Sequence, residues 1–380
     1  MINICHLASF SGNVGDVVNH ISFRNWFNDL INEEINWKSV EIRDFYRGYR
    51  KFDNLLIDEI NENDLLVVGG GNFFELWPMT RTGTSIDLPI ELLDKITIPT
   101  FWNSLGVDDG QGIGSEAKLH FENFIDYILT RNDFLLSLRN DGSLNNLLSN
   151  FSNFRNRSIH ELPDHGFFIS ESNYLHVQSR KSPELRIGIN LACDMDFIRY
   201  GKLYQTDFKL FAKDFALVIS KYHDNKFVLI PHVYSDYNIF SALLSNMEDS
   251  TIRDRVTVVG LTPNFSCIED ILEVYSTLDV MLAMRFHSNL IPMSLGIKTI
   301  GISSYPQITK LYGDLDLSDI CVDVTAIGWQ DKLTSLMDQL ILSNENTKIE
   351  QSKMALNRIS SQRKNFELVL VSWLNRFLKL

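Results

Sequence analysis

Short apolar runs alternate with amphipathic stretches along almost the whole chain, and this alternation constrains the fold more than any other feature. In the first half, the apolar runs cover residues 2–8, 37–42, 64–68, 98–103 and 134–138, and helical patterns lie between them. Strands that alternate with helices build a mostly parallel sheet covered by helices. The first half therefore predicts an α/β domain.

A second α/β unit is predicted after residues 170–184, a polar stretch without a clear period where we expect a linker. Its expected strands are residues 185–191, 226–231, 255–259, 278–283 and 298–302. A chain of 380 residues has room for two domains. We predict an α/β fold with two doubly wound, Rossmann-like domains that face a cleft, as in glycosyltransferases of the B type. The expected parts are residues 1–170, residues 185–345, and a C-terminal helix over residues 346–380 that packs on the body of the protein.

Composition and charge exclude several classes of protein. The net charge is −13 and no basic stripe occurs, which argues against a nucleic-acid partner. Without a basic leader or a run of about 18 apolar residues, we expect a cytoplasmic protein. The four cysteines lie far apart, and no carboxylates or histidines have the spacing of metal ligands, so we expect neither a metal nor a cofactor.

Arg285 and His287 interrupt an otherwise apolar stretch, residues 283–302. They follow a predicted strand, and open α/β sheets bind ligands at the carboxyl ends of their strands. Residues two apart in an extended segment share a side, so both can address one ligand. The arginine would clamp a carboxylate or phosphate, and the histidine would serve as a general acid or base. A salt-bridged arginine beside a structural histidine is the alternative, which we disfavour because the flanking runs contain no acidic residue.

Two glycine-rich turns follow predicted strands. Residues 11–16 read Ser-Gly-Asn-Val-Gly-Asp and precede a helical pattern, so they either approach an anion or form a tight turn that Asp16 caps. Residues 69–72 read Gly-Gly-Gly-Asn, and three glycines are costly in a loop that serves packing alone. Asn72 and Glu75 could bind the hydroxyls of a sugar, with nearby aromatic residues as walls; those aromatics are otherwise core residues.

Other polar residues near strand ends are weaker candidates. Arg139 follows a strand and can be an ordinary surface arginine, Asp164 and His165 can belong to a plain turn, and His232 can be structural. Apolar residues with helical spacing near the C-terminus predict docking of that helix on the protein. Lys364, Arg376 and Lys379 beside them leave a weak membrane-surface contact open.

In this order and spacing, these segments resemble the polysaccharide pyruvyl transferase family. The resemblance covers most of the chain and departs from the family at residues 304–308, where a lysine is often found. The matching segments are Asn-x-Gly-Asp at 13–16, the glycine triplet with asparagine at 69–72, Gly-Gln-Gly-Ile-Gly at 110–114, Ser-Leu-Arg at 137–139, Asp164, Arg-Phe-His at 285–287, Gly296 and Gly-containing residues 300–302.

The resemblance implies transfer of the enolpyruvyl group of phosphoenolpyruvate to two hydroxyls of a sugar. The product would be a cyclic pyruvate ketal on a capsule, exopolysaccharide or cell-wall glycan, or on a lipid- or nucleotide-linked precursor, and phosphate would be released. In that family the Arg-x-His segment binds the donor and takes part in acid–base chemistry.

From the resemblance and the residues together we expect acceptor binding on the N-terminal domain and donor binding on the C-terminal domain. The expected catalytic residues are His287, Arg285 and Asp16, with Asp164 as another possible base. The expected donor-binding residues are Arg285, His287, Ser288, Arg139 and His232. The expected acceptor-binding residues are Asn13, Gly15, Asp16, Gly70, Gly71, Asn72, Glu75, Asp164 and His165.

Two other functions stay open at this point. A nucleotide-sugar-dependent glycosyltransferase of the same fold would usually carry an acidic residue for the ribose, and residues 285–302 contain none. A non-catalytic glycan-binding protein would bind sugar without turnover.

Overall fold

A computed structural model describes residues 1–171, 184–261, 268–342 and 347–378, without the side chains of residues 342 and 347–349. The chain forms two compact units. The first comprises Met1–Phe10, Asn19–His165 and Arg358–Leu380, and the second comprises Ser11–Val18 and Gly166–Asn357. The predicted first domain, residues 1–170, differs in that residues 11–18 and 166–170 belong to the second unit. Of the expected C-terminal helix, Arg358–Leu380 belongs to the first unit. Most of the predicted linker lies outside the described residues.

The first unit is built on a parallel sheet. Its strands are β1 (Ile2–Ala8), β2 (Ile35–Glu41), β3 (Leu65–Gly69), β5 (Thr100–Leu105), β7 (Phe134–Leu138) and β8 (His160–Glu161), in the order β2-β1-β3-β5-β7-β8. Two short strands, β4 (Phe74–Glu75) and β6 (Val107–Asp108), pair beside it. The helices are α1 (Val14–Leu30), α2 (Arg43–Tyr46), α3 (Asn54–Asn61), α4 (Ile90–Leu93), α5 (Ser115–Thr130) and α6 (Ser143–Asn150). The start of α1, up to Val18, belongs to the second unit. Every residue of β3, β5 and β7 is buried, as expected for a parallel sheet covered on both faces.

The second unit has a parallel sheet of the same kind. Its strands are β9 (Arg186–Asn190), β10 (Lys226–Leu229), β11 (Val256–Val258), β12 (Val280–Ala283), β13 (Lys298–Ser303) and β14 (Cys321–Asp323), in the order β11-β10-β9-β12-β13-β14. The helices are α7 (Asp196–Tyr200), α8 (Phe208–Ile219), α9 (Asp236–Leu244), α10 (Asp249–Arg255), α11 (Ile268–Ser276), α12 (Phe286–Ser294), α13 (Pro306–Asp314) and α14 (Trp329–Leu342). The last helix, α15 (Thr347–Leu378), begins in this unit and belongs to the first unit from Arg358 onwards.

The strand orders place a topological switch point in each sheet. In the first sheet the order reverses between β1 and β3, and in the second it reverses between β9 and β12. Ligands of open α/β sheets bind outside the carboxyl ends of the strands at such points. The expected ligand positions are therefore the residues that follow β1 and β3, and those that follow β9 and β12.

The C-terminal part of α15 packs on the first unit, as the helical spacing predicts. Phe366, Leu370 and Leu374 are at most 3% exposed and belong to one buried cluster with residues of β1 and α1. Among the described residues, no helix combines the length and apolarity needed to cross a membrane. Lys379, which the sequence suggested for a membrane-surface contact, lies outside the described residues.

Candidate functional site

Arg285 lies at the switch point of the second sheet, two residues after β12 ends. Asn190, the last residue of β9, fixes the arginine's backbone: its side-chain oxygen accepts a hydrogen bond from the Arg285 amide at 3.0 Å. Its amide group donates to the carbonyl oxygen of Ile230 at 2.8 Å. This placement at a strand's carboxyl end confirms the expectation from the apolar runs.

The expectation that Arg285 and His287 lie in one extended segment is wrong. Arg285 is the extended N-cap of α12, and His287 already lies in the first turn of that helix. The two side chains therefore do not point in the same direction, as residues two apart in a strand would. Burial, and in addition the neighbouring Arg285 and His287, hold the pKa of His232 well below its ordinary value.

Arg285 is an ion-paired arginine, the alternative that the flanking sequence disfavoured. Its Nε donates to both carboxylate oxygens of Asp236, at 3.0 and 2.9 Å, and Nη2 also contacts this carboxylate. Its Nη1 and Nη2 donate to the two oxygens of Asp194 at 3.2 and 3.0 Å. Although burial disfavours the charge, these two carboxylates raise the pKa of Arg285 above its ordinary value. The arginine is charged and rigidly held.

His287 packs against the turn at residues 11–16. A Cβ atom on Gly15 would lie 2.2 Å from the His287 Nδ1 atom, so only glycine allows this approach. Asn13 shapes the turn by accepting a hydrogen bond from the Gly15 amide at 2.9 Å, and the Val14 amide donates to the carbonyl oxygen of His232 at 3.1 Å. Asn13 and Gly15, which were predicted on the acceptor side, are thus beside the Arg285–His287 corner of the second unit.

Asp16 and Ser288 lie at helix starts in the same unit. Asp16 is in the first turn of α1, where a carboxylate is favoured by the helix dipole. Ser288 is buried, and its hydroxyl donates to the carbonyl oxygen of Arg285 at 2.7 Å. That bond gives Ser288 a clear role in holding the start of α12, and its part in donor binding stays a prediction.

His232 is almost fully buried, with 1% exposure. Its Nε2 lies 2.7 Å from the Tyr275 hydroxyl, and its backbone amide donates to Asp236 at 2.9 Å. The depressed pKa keeps the ring neutral near pH 7. His232 therefore lines the corner as an uncharged residue.

Sequence reasoning missed the residues that surround Arg285. Asp194 and Arg199 lie just before and within α7, and Asp236 begins α9. Each follows the carboxyl end of β9 or β10, so the one available signal was an acidic or basic residue shortly after a strand. That signal is weak, because many strand ends are followed by polar turns.

The glycine triplet of the first unit has a packing explanation. Gly69 and Gly70 have φ values of +99° and +89°, and a Cβ on Gly70 would lie 3.1 Å from the side-chain nitrogen of Asn19. Asn19 donates to the carbonyl oxygen of Gly70 and, at 3.3 Å, to Asp164. The backbone geometry and the close approach of α1 account for Gly69 and Gly70 without a ligand; Gly71 follows them and is buried.

Arg139, Asp164 and His165 belong to a buried polar network. Arg139 is 2% exposed, and its guanidinium donates to Asp141 at 2.9 Å and to Asp164 at 3.4 Å. His165 contacts the Asn103 side-chain oxygen at 3.1 Å. Burial lowers the pKa of His165 to about 3, with Asp164 opposing, so the ring is neutral. The donor role of Arg139 and the acceptor roles of Asp164 and His165 stay predictions.

Glu75 and Asp108 form a carboxylate pair on the short strands β4 and β6, where they are register partners. Asn72 donates to Asp108 at 2.8 Å, and the Ser85 hydroxyl donates to Glu75. Burial and the charge of Asp108 raise the pKa of Glu75 to about 7, although the Ser85 bond opposes this. Glu75 can thus take up or release a proton near neutral pH.

The raised pKa of Glu75 predicts a pH-dependent stability. In the folded protein Glu75 keeps its proton up to a pH of about 7, whereas in the unfolded chain, where its pKa is 4.5, it loses the proton at lower pH. Since the folded state holds more protons between pH 4.5 and about 7, this stabilising contribution is present at low pH and is lost as the pH rises through about 7. Glutamine does not titrate, so Glu75→Gln escapes this loss. We expect its unfolding free energy, measured relative to that of the unmodified protein, to be higher at pH 8 than at pH 5 by on the order of 2 kcal/mol.

Urea unfolding of Glu75→Gln and the unmodified protein at both pH values measures this difference. Glu91→Gln, on the exposed face of α4, is the matched control and should show no such gain. A pH-independent difference between Glu75→Gln and the unmodified protein would contradict the assignment.

Comparison with known proteins agrees with the fold and identifies one family. The family model of polysaccharide pyruvyl transferases matches residues 13–305. No individually curated protein matches the chain significantly.

Several solved structures resemble the chain over most of its length. A glycosyltransferase from Rickettsia africae has a TM-score of 0.59 at 10% identity, covering 100% of this chain and 99% of its own. Staphylococcus aureus MnaA, solved with UDP, has a TM-score of 0.54 at 10% identity over 96% and 97% of the two chains. A putative UDP-N-acetylglucosamine 2-epimerase from Listeria monocytogenes has a TM-score of 0.54 at 9% identity over 94% of each chain. At these identities the likeness confirms the predicted glycosyltransferase-B-type fold and says nothing about substrates.

Proposed function

This chain belongs to the polysaccharide pyruvyl transferase family, and we propose that it transfers the enolpyruvyl group of phosphoenolpyruvate to two hydroxyls of one sugar. The sugar would belong to a surface polysaccharide or its precursor, and phosphate would be released. The proposal sets the reaction in the cytoplasm, with a glycan acceptor that is polymeric or carried by a lipid or nucleotide.

The observation that carries this proposal is the position of Arg285 and His287. The family's Arg-x-His segment lies at the switch point of the second sheet, where ligands of such sheets bind. It also opens α12, and the N-terminus of a helix favours anions through its backbone amides. A donor with a carboxylate and a phosphate suits a corner that combines arginine with a helix start.

The reaction needs an acid and a base, and it balances without a cofactor. A proton is added to the methylene carbon of phosphoenolpyruvate, which gives the neighbouring carbon oxocarbenium character. One sugar hydroxyl attacks that carbon and loses its proton; the second hydroxyl then replaces the phosphate and loses its own. Of the two hydroxyl protons, one balances the proton taken up by the new methyl group and the other leaves with phosphate.

His287 is our candidate for the proton transfers. It lies in the first turn of α12, packed against Gly15, so its ring position is fixed by two segments of the same unit. A positioned histidine exchanges protons near neutral pH and contributes typically 10²–10⁴-fold to rate. Asp16, in the turn that holds the ring, is our candidate for taking the proton of an attacking hydroxyl.

On the acceptor side, we assign sugar binding to the first unit. We assign this role to Asn72, just before β4, and to Glu75 in β4, together with Gly70, Gly71, Asp164 and His165. Glu75, which titrates near neutral pH, is a suitable hydrogen-bond partner for a hydroxyl.

Phosphate release tests the proposed reaction. The purified protein is incubated with phosphoenolpyruvate and a panel of nitrophenyl glycosides, and free phosphate and product masses are measured. We expect acceptor-dependent phosphate release and a product heavier than the glycoside by one pyruvate less one water. Parallel reactions with UDP- and GDP-sugars in place of phosphoenolpyruvate serve as controls. Glycosyl transfer from a nucleotide-sugar, without phosphate release from phosphoenolpyruvate, would refute the proposal in favour of a glycosyltransferase.

A further inference from the structure

The two carboxylates that pair with Arg285 differ in how firmly they are held. Asp236 is fully buried and also accepts hydrogen bonds from the backbone amides of His232 and Val233, at 2.9 and 3.2 Å. The Asp194 side chain is 38% exposed. Asp194 directly precedes Met195, the N-cap of α7, whose φ is +53°. Asp236 is therefore a fixed support, whereas Asp194 can turn towards solvent.

The hydrogen bonds of Arg285 leave little room for another anion. A guanidinium has five N–H donors. The side edge of Arg285, Nε and one Nη2 proton, faces Asp236; the outer edge, one proton each from Nη1 and Nη2, faces Asp194. Among the described contacts, at most one Nη1 proton remains. A bidentate ligand can reach this arginine only if one carboxylate moves, and Asp194 is the one that can.

Arg199 completes the surroundings of Asp194. It is 6% exposed, and its Nε donates to the backbone carbonyl oxygen of Asp194 at 2.9 Å and lies 3.5 Å from the Asp194 carboxylate. Its Nη1 donates to Ser304 at 3.0 Å. Burial lowers the pKa of Arg199, and the charge of Arg285 lowers it further while Asp194 opposes this. Two buried guanidinium groups thus repel each other, and an anion beside both stabilises them.

We propose that Arg199 and the outer edge of Arg285 form an anion-binding site, and that Asp194 occupies it with a carboxylate which the anionic donor displaces. The two oxygens of Asp194 lie where a carboxylate or phosphate would accept the same pair of hydrogen bonds. The identity of the anion as phosphoenolpyruvate rests on the proposed function; the site itself rests on the geometry.

Charge explains why the exchange favours a donor with two or three negative charges. Arg199, Arg285, Asp194 and Asp236 together carry no net charge. When Asp194 leaves, the remaining three carry one positive charge, which attracts a phosphate more strongly than a single carboxylate. The Asp194 carboxylate also lowers the apparent affinity for every anion, because an anion can bind only to the fraction of molecules in which Asp194 has left the site.

Isothermal titration with inorganic phosphate and with phosphoenolpyruvate tests the site. We expect Asp194→Asn, which keeps the shape and removes the charge, to bind both anions about 5- to 10-fold more tightly. The size of the effect corresponds to the loss of one partly exposed ion pair, between Asp194 and Arg285, that competes with the added anion. Asp196→Asn is the matched control: it removes an equal charge two residues away, on an exposed residue of α7, and should bind like the unmodified protein.

Thermal unfolding of Asp194→Asn and Asp194→Ala shows whether the variants are folded, and Asp194→Ala repeats the titration without any side-chain amide. Unchanged or weaker phosphate binding in folded Asp194 variants would overturn the proposal, as would an equal gain in Asp196→Asn. Tighter phosphate binding in a protein that does not turn over phosphoenolpyruvate would support the anion site and refute the proposed donor.

Discussion

Replacing Arg285 by alanine is expected to lower the free energy of unfolding by about 3–5 kcal/mol and to abolish donor binding. The cause of the destabilisation is Asp236, which is fully buried and would lose the cation that contacts both of its oxygens. An uncompensated buried charge costs far more than the lost pair contributes. Urea unfolding at pH 7 measures the stability, and titration with phosphoenolpyruvate measures the binding.

The double variant Arg285→Ala/Asp236→Asn separates these two effects. Removing the buried charge together with its partner should recover much of the lost stability, while donor binding stays absent. The two substitutions are coupled because the side chains are in contact. If the double variant is no more stable than Arg285→Ala, Asp236 is not the source of the cost.

Replacing His287 by glutamine is expected to lower kcat by about 10²–10⁴-fold and to change the KM for phosphoenolpyruvate little. Glutamine keeps hydrogen-bonding groups but cannot exchange protons near neutral pH. Initial rates of phosphate release over a range of donor concentrations give both constants. A variant with normal kcat would remove His287 from the proton transfers.

Gly15→Ala provides an independent test of the same ring. The added methyl group would lie 2.2–2.5 Å from three atoms of His287, so the ring or the turn must shift. We expect a loss of kcat that is not additive with that of His287→Gln. Gly114→Ala is the control, because its methyl group would meet only the Ala117 side chain, at 3.6 Å, and should leave kcat unchanged.

The strands were the most predictable part of the fold. The predicted bounds of β1 and β7 match the structure, and the other predicted strands differ by a few residues at their ends. The short strands β4, β6, β8 and β14 were not predicted. Parallel strands are buried on both faces, so each reads as a short continuous apolar run that local sequence reveals. The position of Arg285 after β12 follows from the same pattern.

The partners of Arg285 could not be found in the same way. Asp194 and Asp236 lie 91 and 49 residues from it in the sequence, and only the strand order brings them together. A search for acidic residues near Arg285 therefore pointed to a free arginine.

The turn at residues 11–16 shows a second limit of the sequence. Its two glycines were compatible with a ligand or with a plain turn, and its place near the N-terminus suggested the first domain. The structure assigns it to the second unit, where Gly15 is needed for contact with His287. Such a contact over more than 200 residues leaves no local pattern in a single sequence.

The central claim is that the corner formed by Arg285 and His287 binds phosphoenolpyruvate, and direct competition between ligands tests it most directly. Phosphoenolpyruvate is titrated into the unmodified protein and into Arg285→Lys, which keeps a positive charge beside Asp236 but loses the planar fork. Each titration is repeated in the presence of UDP-N-acetylglucosamine. We predict saturable binding of phosphoenolpyruvate that the nucleotide-sugar does not displace. We also predict that Arg285→Lys weakens this binding at least about 10-fold, because the lysine loses one charge-assisted hydrogen bond to the donor. Binding of the nucleotide-sugar without binding of phosphoenolpyruvate, or equal donor affinity in Arg285→Lys, would contradict the account.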